Sequence, residues 1–253
     1  MLGIYYSGTG NSRYAMEHFL EKYDSSANCV SIEDEKIKEY IEKNQEIAFA
    51  YSVQYSNVPK MVKDFIDCNQ SLWKGKKVFV IATMGLFSGD GAGLLARRLH
   101  RYGAEIIGGL HLKMPDCIAD VKALKRPLEK NKELVREAEQ KIDQAVQSMK
   151  DGRPPQEGLG PLNHLAGLFG QRLYFYTKTT KYVDKLKIDS AKCVGCGKCV
   201  KSCPMKNLSL KNCKAQASNQ CTMCYRCVNL CPKQAITLLG KQVIDQGTVE
   251  KYL

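Results

Sequence analysis

The sequence predicts an α/β domain built on a doubly wound, five-stranded parallel sheet over residues 1–152, followed after a connecting segment by a small cysteine-dense α+β domain over 187–253. Three observations predict it. Strand-like apolar runs alternate with helix-patterned segments through the first half. Nine of the twelve cysteines lie between Cys193 and Cys231. Positive charge follows them, with 22 Lys+Arg against 20 Asp+Glu in residues 1–150 but 16 against 6 in 151–253. Overall composition, 44% hydrophobic and 25% charged, excludes a disordered or fibrous chain. No run approaches the roughly 18 apolar residues of a membrane span, and Met1 to Tyr6 reads as a buried strand rather than a leader. A cytoplasmic location is expected, where a dense cysteine set reads as metal ligands rather than disulfides.

The elements follow in order. Leu2–Tyr6 is a short apolar strand, and after a Gly-rich turn Ala15, Met16, Phe19, Leu20 and Tyr23 recur at helical spacing. Asn28–Ile32 can form a second strand, and Glu33–Asn44 a helix with Ile37, Tyr40 and Ile41 on one face. Glu46–Tyr51 is a third strand. Pro59 suits the first turn of a helix whose apolar face is Met61, Val62, Phe65 and Ile66. Lys77–Thr83 is the strongest strand, the helix through Leu94, Leu95 and Leu99 ends at Gly103, the strand Glu105–Leu112 follows, and a long helix carries Leu134 through Met149.

Strands that are continuously apolar sit in a parallel sheet covered on both faces, and such sheets bind ligands at the carboxyl ends of their strands. The first loop there is Ser7-Gly8-Thr9-Gly10-Asn11-Ser12. Its glycines let the backbone wrap closely, and its hydroxyls, amide and helix N-terminus suit a phosphate. No Lys precedes Ser12, so it is no P-loop, and Arg13 stands where a dinucleotide fingerprint needs its third Gly. A mononucleotide phosphate fits better, although a Ser/Gly-rich turn can also simply join a strand to a helix.

With its surrounding elements, IYYSGTGNS resembles the phosphate loop of flavodoxins, over about 150 residues. The resemblance implies a flavodoxin-like fold and FMN. Ser7, Gly8, Thr9, Gly10, Asn11 and Ser12 would hold the phosphate. The loops Ser52 to Pro59 and Thr83 to Gly93 would flank the ring, with Ser52, Val53, Gln54, Tyr55, Thr83, Met84, Gly85, Phe87, Ser88 and Gly89 as contacts. Flavodoxins usually stack aromatics from both loops, whereas here the third loop offers mostly glycines and Phe87, which implies a more open ring face.

DGRPPQEG opens the stretch Asp151 to Lys187 between the halves, with the linker itself at 153–186. Its continuation, with Leu159, Leu162, Leu165, Leu168, Phe169, Leu173, Tyr174, Phe175 and Tyr176, is too apolar for a free tether. It is expected to pack at the domain junction or in a homodimer contact, with membrane-surface contact as the alternative.

Cys193, Cys196, Cys199 and Cys203-Pro204 recur as Cys221, Cys224, Cys227 and Cys231-Pro232, every position displaced by 28 residues. Leu208-Ser209-Leu210 and Ile236-Thr237-Leu238 repeat at the same displacement, so a whole unit is doubled. Zinc sites also use paired cysteines, but from separated pairs rather than triplets trailed by Cys-Pro. The segment from about Lys187 to Leu239 strongly resembles bacterial two-cluster ferredoxins. That resemblance implies two [4Fe-4S] clusters, one on Cys193, Cys196, Cys199 and Cys231, the other on Cys221, Cys224, Cys227 and Cys203. Cys29, Cys68, Cys117 and Cys213 are left over, Cys117 in a loop at the flavin end of the sheet.

Two oxidised clusters at −2 each and an FMN phosphate at about −2 offset half of the formal +12. The lysines around the clusters still suggest an acidic redox partner, and no recognition helix or aromatic-interleaved basic stripe argues for nucleic acid. The order of parts is similar to flavodoxin/ferredoxin fusion proteins of anaerobic bacteria. That resemblance implies an electron carrier between clusters and FMN, or alternatively a ferredoxin-dependent reductase of a quinone, nitro compound or activated double bond, for which Tyr55, Phe87, His111 and Cys117 are candidate contacts. As independent domains, the chain should lose one cluster but keep FMN when Cys196 is replaced.

Overall fold

In the computed structural model, residues 1–86, 89–167, 169 and 185–253 are described. Phe87, Ser88, Leu168, Leu173, Tyr174, Phe175 and Tyr176 lie outside the described residues.

The first 150 residues form β1 (Leu2–Tyr6), α1 (Asn11–Tyr23), β2 (Cys29–Ser31), α2 (Ile37–Lys43), β3 (Glu46–Ser52), α3 (Lys60–Cys68), β4 (Lys77–Met84), α4 (Gly91–Arg101), β5 (Glu105–Lys113) and α5 (Leu128–Lys150). All neighbours in the sheet are parallel, in the order β2-β1-β3-β4-β5. This is the flavodoxin-like doubly wound order, which reverses direction next to β1 and opens a crevice at the carboxyl ends of β1 and β3.

The two faces of the sheet carry the core. Ile4, Phe49, Val80 and Trp73 pack with α2, α3 and α4 on one side, and Ala48, Phe79 and Leu110 pack with Met16, Phe19 and Ile142 of α1 and α5 on the other. The α2 helix starts at Ile37 rather than at Glu33 as the sequence pattern predicts. The Ser31 hydroxyl and the Asp34 carboxylate accept the backbone N–H groups of Glu33 and Lys36, holding those residues in turns.

The segment opening with DGRPPQEG does not float. The Gly109 N–H donates to the Pro155 carbonyl and the Glu157 N–H to the Gly109 carbonyl, so residues 155–157 cover the free edge of β5. Gly108 permits this: a Cβ there would lie 2.7 Å from the Pro155 oxygen and 2.8 Å from the Phe79 ring. The short α6 (Pro161–Gly167) follows, with Leu162 and Leu165 exposed.

In the C-terminal region, β6 (Lys187–Ile188) pairs with β9 (Ile236–Thr237), and β7 (Leu208–Lys211) with β8 (Lys214–Ala217), both antiparallel. The short helices α7 (Lys198–Ser202) and α8 (Arg226–Leu230) lie between them. Shifting β6 by the 28-residue repeat lands on β8, so the trailing strand of each repeat pairs with the leading strand of the other. Asn212 and Cys213, both at positive φ (50° and 58°), close the β7–β8 hairpin as a two-residue turn. Among the described residues no helix is long and apolar enough to cross a membrane.

Candidate cofactor sites

The eight repeated cysteines line two small cavities. One is walled by Cys193, Cys196, Cys199 and Cys231 with Val194, Leu210 and Ile236. The other is walled by Cys203, Cys221, Cys224 and Cys227 with Leu208 and Leu238. Among the described residues no three such side chains converge on a point as a single metal ion requires. The thiols instead surround spaces, the arrangement a cluster needs.

Backbone amides prepare the sulfurs. Asn207 N–H donates to Cys203 Sγ and Ala235 N–H to Cys231 Sγ, each at 3.3 Å and each four residues on. Ala215 N–H reaches Cys193 Sγ at 3.4 Å and Met223 N–H reaches Cys221 Sγ at 3.3 Å. The N–H groups of Ala215 and Gly195 hold the Cys193 thiol below its ordinary pKa, whereas burial pushes Cys221 up to about 11. Two buried hydroxyls of the second cavity's surroundings, Tyr6 and Thr222, make no full hydrogen bond among the described residues, and Tyr6 lies beside the Cys224 sulfur. Unpaired donors at that place fit thiolate and sulfide acceptors.

A third cavity of about 290 Å³, the junction cavity, opens at the carboxyl end of the sheet where the cysteine repeat meets it. Ser7, Gly8, Thr9, Asn11 and Ser12 form one end. There Gly10, in left-handed conformation (φ 97°), caps the start of α1 at Asn11, with no side-chain cap and no acidic residue in the first turn. Its free N–H groups and positive dipole end therefore face the cavity. Ser12, fully buried, shares a 2.8 Å hydrogen bond with Thr83, and Asn11 donates to the Pro115 carbonyl at 2.7 Å, fixing the loop.

The remaining wall is apolar and aromatic: Val53, Tyr55, Met84, Leu86, Pro115, Ile118 and Leu124, with Ser52, Gln54, Thr83 and Gly85 between them. Gln54 and Asn57 exchange backbone hydrogen bonds at 3.0 and 2.9 Å around Tyr55 and Ser56, which both have positive φ. That tight turn costs non-glycine residues about 1–2 kcal/mol each and aims Tyr55 at the cavity. Hydroxyls and a helix N-terminus at one end and a largely apolar wall at the other are the chemistry that suits a phosphorylated ring compound.

Of the sequence-predicted contacts, Gly10 supports the loop from behind, beneath Val249, and does not line the cavity. Gly89 does not line it either, because its backbone packs against Asn163 and Gly167. His111 belongs to a separate cavity with Lys113, Lys141 and Glu157, where its Nε2 accepts the Ala92 N–H at 2.9 Å. Cys117 and Asp116 do line the junction cavity; burial pushes the Cys117 thiol up to about 12. Cys213 sits at the hairpin tip, against Gly195.

Met223, Cys224 and Tyr225 also form part of this wall, which the sequence pattern does not anticipate. Among the described residues the second tyrosine lining the cavity thus comes from the cysteine repeat. A Cβ on Gly8 would overlap the Cys224 carbonyl oxygen, so the loop of residues 7–12 and the cysteine loop touch backbone to backbone. The Tyr55 hydroxyl lies 3.9 Å from Met223 Sδ, and the Tyr225 hydroxyl donates to Asp120 at 2.9 Å. The sequence does hold a clue: the repeat aligns Met223 with Gly195 and Tyr225 with Gly197.

Residues 185–232 match the family model of the 4Fe-4S dicluster domain. No curated protein matches the chain. Solved structures similar to it include a flavodoxin from the domain Archaea (16% identity, covering 59% of this chain and 97% of that one, TM-score 0.41). Two-electron reduced Megasphaera elsdenii flavodoxin gives 21%, 58%, 99% and 0.42. Oxidised flavodoxin 2 from Bacillus cereus gives 18%, 60%, 97% and 0.44. The dicluster match implies two [4Fe-4S] clusters, and the chain joins a flavodoxin-like N-terminal domain to a C-terminal 4Fe-4S dicluster domain.

Proposed function

We propose that this protein is an electron relay in which FMN occupies the junction cavity and the two cysteine cavities hold the clusters. The observation that carries the reading is that Cys224 and Tyr225 line both the junction cavity and the second cysteine cavity. A single turn of backbone is therefore the partition between the two redox sites.

When bound, FMN couples one-electron to two-electron chemistry. The protein's own groups do the rest. Ser7, Thr9, Asn11, Ser12 and the open end of α1 hold the phosphate. Val53, Tyr55, Met84, Leu86, Met223 and Tyr225 exclude water from the ring. Cys203, Cys221, Cys224 and Cys227 hold the cluster next to it, and Cys193, Cys196, Cys199 and Cys231 hold the distal one. Cys196 is exposed while its counterpart Cys224 is half-buried, and Cys199 and Cys227 are buried alike, so the distal cluster is the point of exchange with an external one-electron partner.

Between residues 187 and 244 ten Lys and Arg face a single acidic residue, Asp189, which is engaged with Lys192. An acidic redox protein is the partner this surface favours. Anaerobic purification followed by iron, sulfide and flavin assays tests the relay: about eight iron and one FMN per chain are expected. Iron-replete protein that neither retains nor takes up FMN would overturn it.

A further inference from the structure

The two cysteine repeats share an unusual backbone. Positive φ recurs at Gly195 (68°) and Met223 (56°), at Gly197 (72°) and Tyr225 (60°), and at Lys206 (50°) and Gln234 (49°), each pair separated by the repeat length. Wrapping a cysteine triplet around a cluster therefore demands left-handed residues at fixed places, and the first repeat meets the first two demands with glycine. The second repeat places Met and Tyr there, against their conformational preference. Tolerated strain of this kind is held by surrounding structure and concentrates at functional positions.

What distinguishes these two residues is where their side chains go. Both are nearly fully buried, at 3% and 1% exposure, yet both line the junction cavity. Tyr225 is locked by its hydroxyl on Asp120, whose other oxygen accepts the N–H groups of Leu238 and Leu239 at 2.6 and 3.0 Å. Met223 lies against Tyr55 from the opposite domain. The corresponding glycines of the first repeat border the exposed distal cavity, where there is no ring to contact.

We infer that Met223 and Tyr225 are flavin-positioning residues, installed in the cluster loop at glycine positions, so that assembly of the proximal cluster completes the FMN site. The inference rests on FMN occupying the junction cavity. Cys221, Cys224 and Cys227 fix the backbone from which the two side chains project, so cluster and flavin binding are linked, and by reciprocity FMN strengthens equilibrium binding of the proximal cluster.

The test uses anaerobically purified holoprotein, its FMN exchanged by titration and followed by flavin fluorescence. Met223→Gly and Tyr225→Gly should retain about eight iron, because glycine suits the backbone, while the FMN dissociation constant rises about tenfold or more. Met223→Leu, which keeps the bulk, should stay within about threefold of wild type. Glycine variants with full iron that bind FMN as tightly as wild type overturn the inference. Should a glycine variant lose its iron, chelation of iron from the wild type decides the matter instead: FMN affinity must fall about tenfold and return on cluster reconstitution, and unchanged affinity overturns the linkage. Wild-type holoprotein that binds no FMN would instead remove the reading beneath it.

Discussion

Arg226 shows at a single side chain how the two domains are kept in register. Its guanidinium makes a bidentate pair with Glu33, at 2.9 and 2.6 Å, and also donates to the Ser7 carbonyl at 2.8 Å and the Ser202 carbonyl at 3.1 Å. It therefore joins the loop of residues 7–12, the turn before α2 and the end of α7. Planar, multiply bonded geometry of this kind is specific to arginine. Arg226→Met should lower unfolding stability by about 2 kcal/mol, seen as a lower thermal midpoint of the holoprotein, and Arg226→Lys should recover only part of it. The sequence shows Arg226 merely as one of ten positive charges near the clusters; its acidic partner lies 193 residues away, beyond any local pattern. His111 offers a second test at this scale. Burial lowers its pKa, and its Nε2 must stay unprotonated to accept the Ala92 N–H. A histidine depressed in the folded state contributes stability that is present above its unfolded pKa of about 6.5 and is lost as pH falls through the folded value. The wild-type thermal midpoint should therefore drop more steeply than that of His111→Gln between about pH 7 and pH 5; parallel profiles would contradict this.

At the scale of elements, the parts that alternate or repeat are readable in the sequence and the parts that cross are not. The five sheet strands and α1, α3, α4 and α5 emerge from apolar runs and helical spacing because each buries its own pattern against a neighbour. The tail after β9 has no such pattern, yet it stitches the domains together. Ile244 and Asp245 donate to the Ala119 carbonyl, Gln246 to the Val228 and Cys231 carbonyls, and Val249 to the Thr9 carbonyl at 2.9 Å. Val249 and Tyr252 then bury themselves in the α1–α5 face of the core. The cluster loop behaves likewise: its cysteine spacing is legible, but that its intervening residues wall another site is visible only once the chain is folded. The shared wall predicts different outcomes for loss of the two clusters. Cys193→Ala with Cys196→Ala should remove the distal cluster and leave FMN affinity within about threefold of wild type, since the distal cavity shares no residue with the junction cavity. Cys221→Ala with Cys224→Ala should remove the proximal cluster and weaken FMN binding about tenfold or more. Equal FMN affinity in both double variants, measured by fluorescence titration alongside iron content, would contradict the shared wall.

Across the whole molecule, the distal cysteine cavity, with exposed Cys196, shares no lining residue with the junction cavity, whereas the proximal cysteine cavity adjoins it at Cys224 and Tyr225. Lys198, Lys201, Lys206, Lys211 and Lys233 form no salt bridge with described residues and leave the cluster region positive. Reduction of the holoprotein by an acidic ferredoxin should slow about tenfold between roughly 50 and 500 mM salt, and Lys201→Glu with Lys211→Glu should reproduce much of that loss at low salt. Salt-independent reduction would argue against electrostatic docking. The central claim is that electrons reach the flavin site through the clusters. Its most direct test is rapid mixing of the holoprotein with a reduced acidic ferredoxin, following cluster and flavin absorbance together, beside the Cys193→Ala, Cys196→Ala variant with its FMN retained. The account predicts cluster reduction before flavin reduction in the wild type and flavin reduction slowed about tenfold or more in the variant. Flavin reduction equally fast without the distal cluster would contradict it.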